Sequence, residues 1–114
     1  MATFSAVTPS GSTSGAAILV AATATAGTLF HTAHASGQDE IWLWATNNSA
    51  SAVQLTVEFG GTAAKDLIKQ TIAVQPAGDV LVVAGKRLTG SLVVGVFAET
   101  TNVISVSGNI NRVV

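Results

Sequence analysis

The strongest constraint on this chain is a hydrophobic period of two. In Ala52–Phe59, the residues Val53, Leu55, Val57 and Phe59 fall on one side of an extended backbone, and Gln54, Thr56 and Glu58 fall on the other. That is the pattern of a strand buried on one face. Glu40–Thr46 alternates too, with Trp42 and Trp44 on one face and Ile41, Leu43 and Ala45 on the other. Large apolar groups on both faces predict a central strand. Between the two runs, Asn47-Asn48-Ser49-Ala50 supplies residues that bond their own main chain or tolerate left-handed backbone, so Glu40–Phe59 reads as a hairpin.

Further short apolar runs follow, each bounded by turn residues. Ile68–Gln75, Val80–Val83, Ser91–Glu99 and Asn102–Val114 are expected strands, and Ala16–Ala24 and Gly27–Ala33 add two upstream. Pro76-Ala77-Gly78-Asp79 and Gly85-Lys86-Arg87 read as turns, Gly108 as a bend, and Ala63–Asp66 as the one place for a helical turn. The expected fold is all-β: a single-domain antiparallel β-sandwich, jelly-roll or Ig-like, of about eight strands over 16–114. A flexible N-terminal arm over 1–15 precedes it, rich in Ser, Thr and Gly around Pro9.

Composition bears on how such a sandwich meets its surroundings. A chain of 114 residues with 48% hydrophobic content buries one real core, and the lack of cysteine excludes disulfides and thiolate zinc sites. A net charge of -1 gives no footprint for nucleic acid, which is therefore not an expected partner. Ala16–Ala35 carries no charge, yet its threonines, His31, His34 and Gly27 break any membrane span. Met1–Ser14 has neither the cationic start nor the leucine-rich middle of a secretory leader, so the chain is expected to stay soluble where it is made.

Charge is unevenly spread, because no charged side chain precedes Asp39. Ordinary surfaces are about a quarter to a third charged. Either Ala2–Ala35 is covered by other subunits, or it is a polar arm solvated without charge. The first reading, with the Val-rich runs, predicts a homo-oligomer. Phe4 and Val7 are the apolar anchors of the arm, which is expected to order against a neighbouring subunit with Phe4 in an apolar pocket.

Candidate chemistry is sparse. On a strand, the odd separation of His31 and His34 puts their rings on opposite faces, which argues against a shared metal. Asp39 and Glu40 carry oxygen atoms suited to a divalent cation, but without EF-hand spacing they read as a solvated turn. There is no Gly-x-Ser-x-Gly elbow, and Gly85-Lys86-Arg87 lacks the spaced glycine and hydroxyl of a P-loop. Asn47-Asn48-Ser49 is formally a glycosylation sequon. No catalytic residue, metal or cofactor is expected, and the chain does not read as an enzyme. Trp42 and Trp44 form either a stacking platform for a sugar or partner, or a layer of the core or a subunit interface; the second reading is preferred. The partner-binding residues expected from this reading are Phe4, Val7, Trp42 and Trp44.

The run Asp39–Thr62, then Ile72-Ala-Val-Gln-Pro, Leu92-Val-Val-Gly-Val-Phe-Ala and Asn109-Ile-Asn-Arg-Val-Val, resembles small structural proteins encoded in the virion gene clusters of tailed bacteriophages. It is a resemblance of overall pattern, covering most of the chain after about Gln38. It implies a decoration or cement protein, made in the host bacterial cytoplasm, that binds the outer head shell of the virion and stabilises it. The implied partner is the phage major capsid protein. A homotrimer at threefold sites is the first expectation and a dimer at twofold sites the second. The alternatives are a receptor- or carbohydrate-binding module of the tail using the Trp42 face, and a head–tail or tail structural component.

Overall fold

A computed structural model describes residues 3–114. Its strands are β1 (Phe4–Val7), β2 (Ile18–Leu19), β3 (Thr28–Thr32), β4 (Gln38–Asn47), β5 (Val53–Phe59), β6 (Leu67–Ile72), β7 (Val80–Leu88), β8 (Val93–Ala98) and β9 (Ile104–Val113). A single 3₁₀ turn at Ala64–Asp66 falls where the sequence allowed one. The strands make two antiparallel sheets, one in the order β1-β9-β4-β7 with β2 also on β9, the other β3-β8-β5-β6. From β2 onward every consecutive pair of strands except β5 and β6 lies in opposite sheets. This wrapped order is that of a jelly roll, one of the two sandwich types expected.

The wrapping corrects the predicted Glu40–Phe59 hairpin. β4 pairs with β9 from Gln38↔Val113 to Asn47↔Ile104, whereas β5 pairs with β6 and β8. Each strand has one face whose middle is apolar, and both of these faces turn inward. Ile41, Leu43 and Ala45 of β4 therefore stack across the core from Val53, Leu55 and Val57 of β5, all at most 2% exposed. The intervening residues cross the gap of about 10 Å between sheets. Asn47 holds that crossing: Nδ2 donates to the Ser51 and Ile72 carbonyls, both at 2.9 Å, and Oδ1 accepts from Ser49 N at 2.9 Å and Ser49 Oγ at 2.7 Å. With its amide buried and engaged, the formal sequon is not presented by the folded chain.

Two glycines read as chain reversals lie inside strands. β7 runs through Gly85-Lys86-Arg87, where the register passes from Ile41↔Lys86 to Trp42↔Ala84 and leaves Gly85 bulged at φ 72°. A second shift leaves Val82 out between Leu43↔Val83 and Trp44↔Leu81. Bulges of this kind twist an edge strand away from further pairing. Gly108 lies opposite Leu43 within β9, where any Cβ would overlap the Trp42 carbonyl oxygen. Close approach of two main chains, rather than a bend, is what this glycine provides.

The first third of the chain also differs from its expected form. Phe4–Val7 pairs with β9 from Phe4↔Val113 to Val7↔Ile110. Residues 8–15 then pass to β3 of the opposite sheet: Gly11 N donates to the Phe30 carbonyl at 2.9 Å, and Thr32 N to Ser10 Oγ at 2.7 Å. The segment read as a flexible arm is thus laid along its own sandwich, because main-chain pairing needs no particular side chains. Residues 1 and 2 lie outside the described residues. The predicted strand Ala16–Ala24 shrinks to Ile18–Leu19, which continues the β1 edge along β9 at Ile18↔Val106 and Leu19↔Ser105.

Candidate partner-binding surfaces

The uncharged third of the chain comes together as one side of the sandwich. β1 and β2 form an edge of the first sheet, β3 an edge of the second, and the strap of residues 8–15 joins them. Exposed along this edge are Phe4 at 79%, Leu19 at 51% and Leu29 at 41%. The pairing turns Phe4 and Leu19 to the outer face of the first sheet, Phe4 beside Gln38, Glu40 and Arg87, and Leu29 to the outer face of the second. Val7, expected as a second anchor of the arm, packs against the core instead. The anchors missing from the sequence reading are Leu19 and Leu29, whose outward aim is set by pairing with β9 and β8.

Trp42 and Trp44 do not belong to the core. They stand half-buried on the outer face of the first sheet, with centroids 6.2 Å apart and planes at 18°. The core side of that strand is filled by Ile41, Leu43 and Ala45, so alternation sends both indoles outward. Trp42 is tightly built in. A Cβ on Gly85 would come within 2.9 Å of its ring, and its Nε1 donates to Glu40 Oε1 at 2.7 Å. Asn111 Nδ2 donates to the same oxygen at 3.1 Å. The Trp42 N–H and the Asn111 amide hold the Glu40 carboxyl below its ordinary value.

Asp39, expected in a solvated turn, is fully buried at the end of the core face of β4. Arg112 faces it directly across the β4–β9 pair and grips it side-on, Nε to Oδ1 at 2.8 Å and one terminal nitrogen to Oδ2 at 3.0 Å. His31 Nε2 donates to Oδ2 at 2.6 Å, and His34 N at 3.1 Å. The donor role of His31 Nε2 follows from its Nδ1, which accepts from Ser10 N at 3.0 Å. Burial pushes the Asp39 carboxyl up, but the Arg112, His31 and His34 hydrogen bonds and the Arg112 charge outweigh it, bringing it to about 2. One carboxylate thereby ties β3, β4, β9 and, through His31, the strap.

The two histidines share no ligand position. His34 Nδ1 accepts from Ser36 N and Gly37 N at 3.1 and 2.8 Å, while His31 Nδ1 is taken by Ser10. Among the described residues no group of three His, Cys, Asp or Glu side chains is arranged to hold a metal ion. A second buried acid, Glu58, accepts from Thr25 Oγ1 and Gly27 N, both at 2.7 Å, and fastens the preceding loop onto β5. No helix among the described residues is long and apolar enough to cross a membrane. The chain matches no family model, and no match to it was found among curated proteins or solved structures.

Proposed function

We propose that the chain is a virion structural protein, a decoration or cement protein that seats its uncharged wall on the outer head shell of a tailed bacteriophage. The observation that carries this reading is the gathering of the charge-free first third along one edge of the sandwich, with Phe4 and Leu19 exposed where that edge meets the outer face of the first sheet and Leu29 where it meets the second. Such a wall suits a partner that covers it. Burial contributes about 25 cal/mol for each Å² of apolar area, with no long-range charge steering required. Repetition over a shell lattice multiplies a modest single contact through effective concentration. The resemblance of Asp39–Thr62 and the later segments to phage virion proteins points the same way. The major capsid protein is the proposed partner, and a homotrimer at threefold positions the proposed assembly.

Reconstitution tests the reading. Heads purified from a phage deleted for the chain are mixed with purified protein and sedimented. The chain should co-sediment with heads and not with isolated tails. Phe4→Glu combined with Leu19→Glu should abolish occupancy while leaving the melting transition of the free protein close to that of the parent. Co-sedimentation with tails alone, or full occupancy by a folded double variant, contradicts the reading.

A further inference from the structure

We infer that the depression beside Trp44 is a binding site for a neutral pyranose sugar. It lies on the outer face of the first sheet, reaches the strap at Gly15, and is argued without the shell-binding reading. Its volume is about 460 Å³, lined by Gly15, Trp44, Asp79, Ser107, Gly108 and Asn109. Small-ligand sites span about 300–1,000 Å³ and combine an apolar surface with a few convergent polar groups.

The argument rests on a difference between the two tryptophans. The Trp42 indole has its N–H committed to Glu40 and its ring against Gly85, so it serves as a fixed backing. Trp44 stacks on that backing and borders the depression. Among the described residues, Trp44 Nε1, the Ser107 hydroxyl and the Asn109 amide have no side-chain hydrogen-bond partner in the protein. Asp79 uses Oδ1 to accept from Thr46 Oγ1, an interaction that holds the carboxylate and leaves Oδ2 open. An aromatic plane held from behind, beside a carboxylate oxygen, an amide and an indole N–H, matches a pyranose. The C–H face of the sugar stacks on the indole, and its equatorial hydroxyls donate to Asp79 and Asn109 and accept from Trp44 and Asn109.

The charge of the site sets the ligand class. Asp79 is the only charged residue lining the depression, and no lysine or arginine balances it. A uronic acid or other anionic sugar would bring a second negative charge beside the first, whereas a neutral hexose or N-acetylhexosamine brings hydroxyl donors to a charged acceptor.

The chain has only two tryptophans, both on this face, so intrinsic fluorescence reports on the site directly. The full chain is titrated with cellotetraose, maltotetraose and chitotetraose, and with tetragalacturonate as the anionic probe. At least one neutral tetramer should give a saturable change, and tetragalacturonate should neither bind nor compete. Asp79→Ala and Asn109→Ala each remove an exposed side chain and should weaken binding by about tenfold, as loss of a hydrogen bond to a charged or well-aligned partner does. Trp44→Leu should abolish it, with Trp42 left as the fluorophore and folding checked by circular dichroism. Absence of a saturable change with all three neutral tetramers, preferential binding of tetragalacturonate, or unchanged affinity in folded Asp79→Ala and Trp44→Leu proteins would overturn the inference.

Discussion

The two faces of β4 carry polar groups of similar chemistry and use them in opposite ways. On the inner face, Asp39 is fully buried and accepts four hydrogen bonds, from Arg112, His31 and His34. Farther along the same face, Asn47 is 1% exposed and spends its amide on the chain crossing between sheets. On the outer face, the Trp42 and Glu40 pair is engaged, but the groups around Trp44 remain open toward solvent. What separates the two faces is whether hydrogen-bonding capacity is met inside the protein. Met capacity contributes to stability; open capacity beside a held aromatic ring is available for recognition.

The sharpest way to break this comparison is Asp39→Ala. It leaves the Arg112 guanidinium and the His31 ring without their shared acceptor, and breaking a buried pair costs about 3–5 kcal/mol. Denaturant unfolding should report a loss in that range; a loss under about 1 kcal/mol would mean the inner face is not held by this carboxylate. Next comes Gly108→Ala, whose Cβ would overlap the Trp42 carbonyl oxygen across the β4–β9 pair. Overpacking of this sort costs about 1–3 kcal/mol, read as a lower melting temperature.

The acid limb of stability sharpens the same contrast. Asp39 sits at about 2 in the fold against an ordinary value of 3.8. The unfolded chain therefore takes up the proton first, so the contribution, roughly 2 kcal/mol, is complete at neutral pH and fades as pH falls from about 5 to about 2. A pH series of unfolding free energies on the parent and on Asp39→Asn should differ in this window, the variant lacking the Asp39 part of the slope. The smallest effect belongs to the outer face. Trp44→Ala, removing a half-buried ring from the rim of the sheet, should cost about 1 kcal/mol, well below the cost of about 3–5 kcal/mol for a core aromatic. A loss as large as that for Asp39→Ala would make Trp44 a structural residue and erase the distinction between the faces.

Alternation in the sequence was enough to find most of the strands and to tell which side of each is buried. Val53, Leu55 and Val57 do face inward, and Trp42 and Trp44 do share a face. It carries no information on which strand lies beside which. The same polar Asn47–Ala50 connection serves a hairpin or a crossing between sheets, and the outcome depends on whether the two apolar faces pair side by side or stack. Glycine was ambiguous for a related reason: Gly85 at φ 72° has the local conformation of a turn but belongs to a bulge fixed by the neighbouring strand. The Asp39 cluster was hidden because Arg112 lies 73 residues away and only the β4–β9 register brings them opposite. The arm escaped composition-based reading because its partner is the main chain of β9, which leaves no mark in side-chain chemistry.

The most direct test of the central proposal is an electron-microscopy density map of the purified particle that carries this chain. The account predicts density for the jelly roll on the outer surface of the head, with the uncharged edge formed by β1, β2, β3 and the strap against the shell or a neighbouring copy. Density on the tail, or a head-bound copy whose uncharged first-third edge faces solvent, would contradict it.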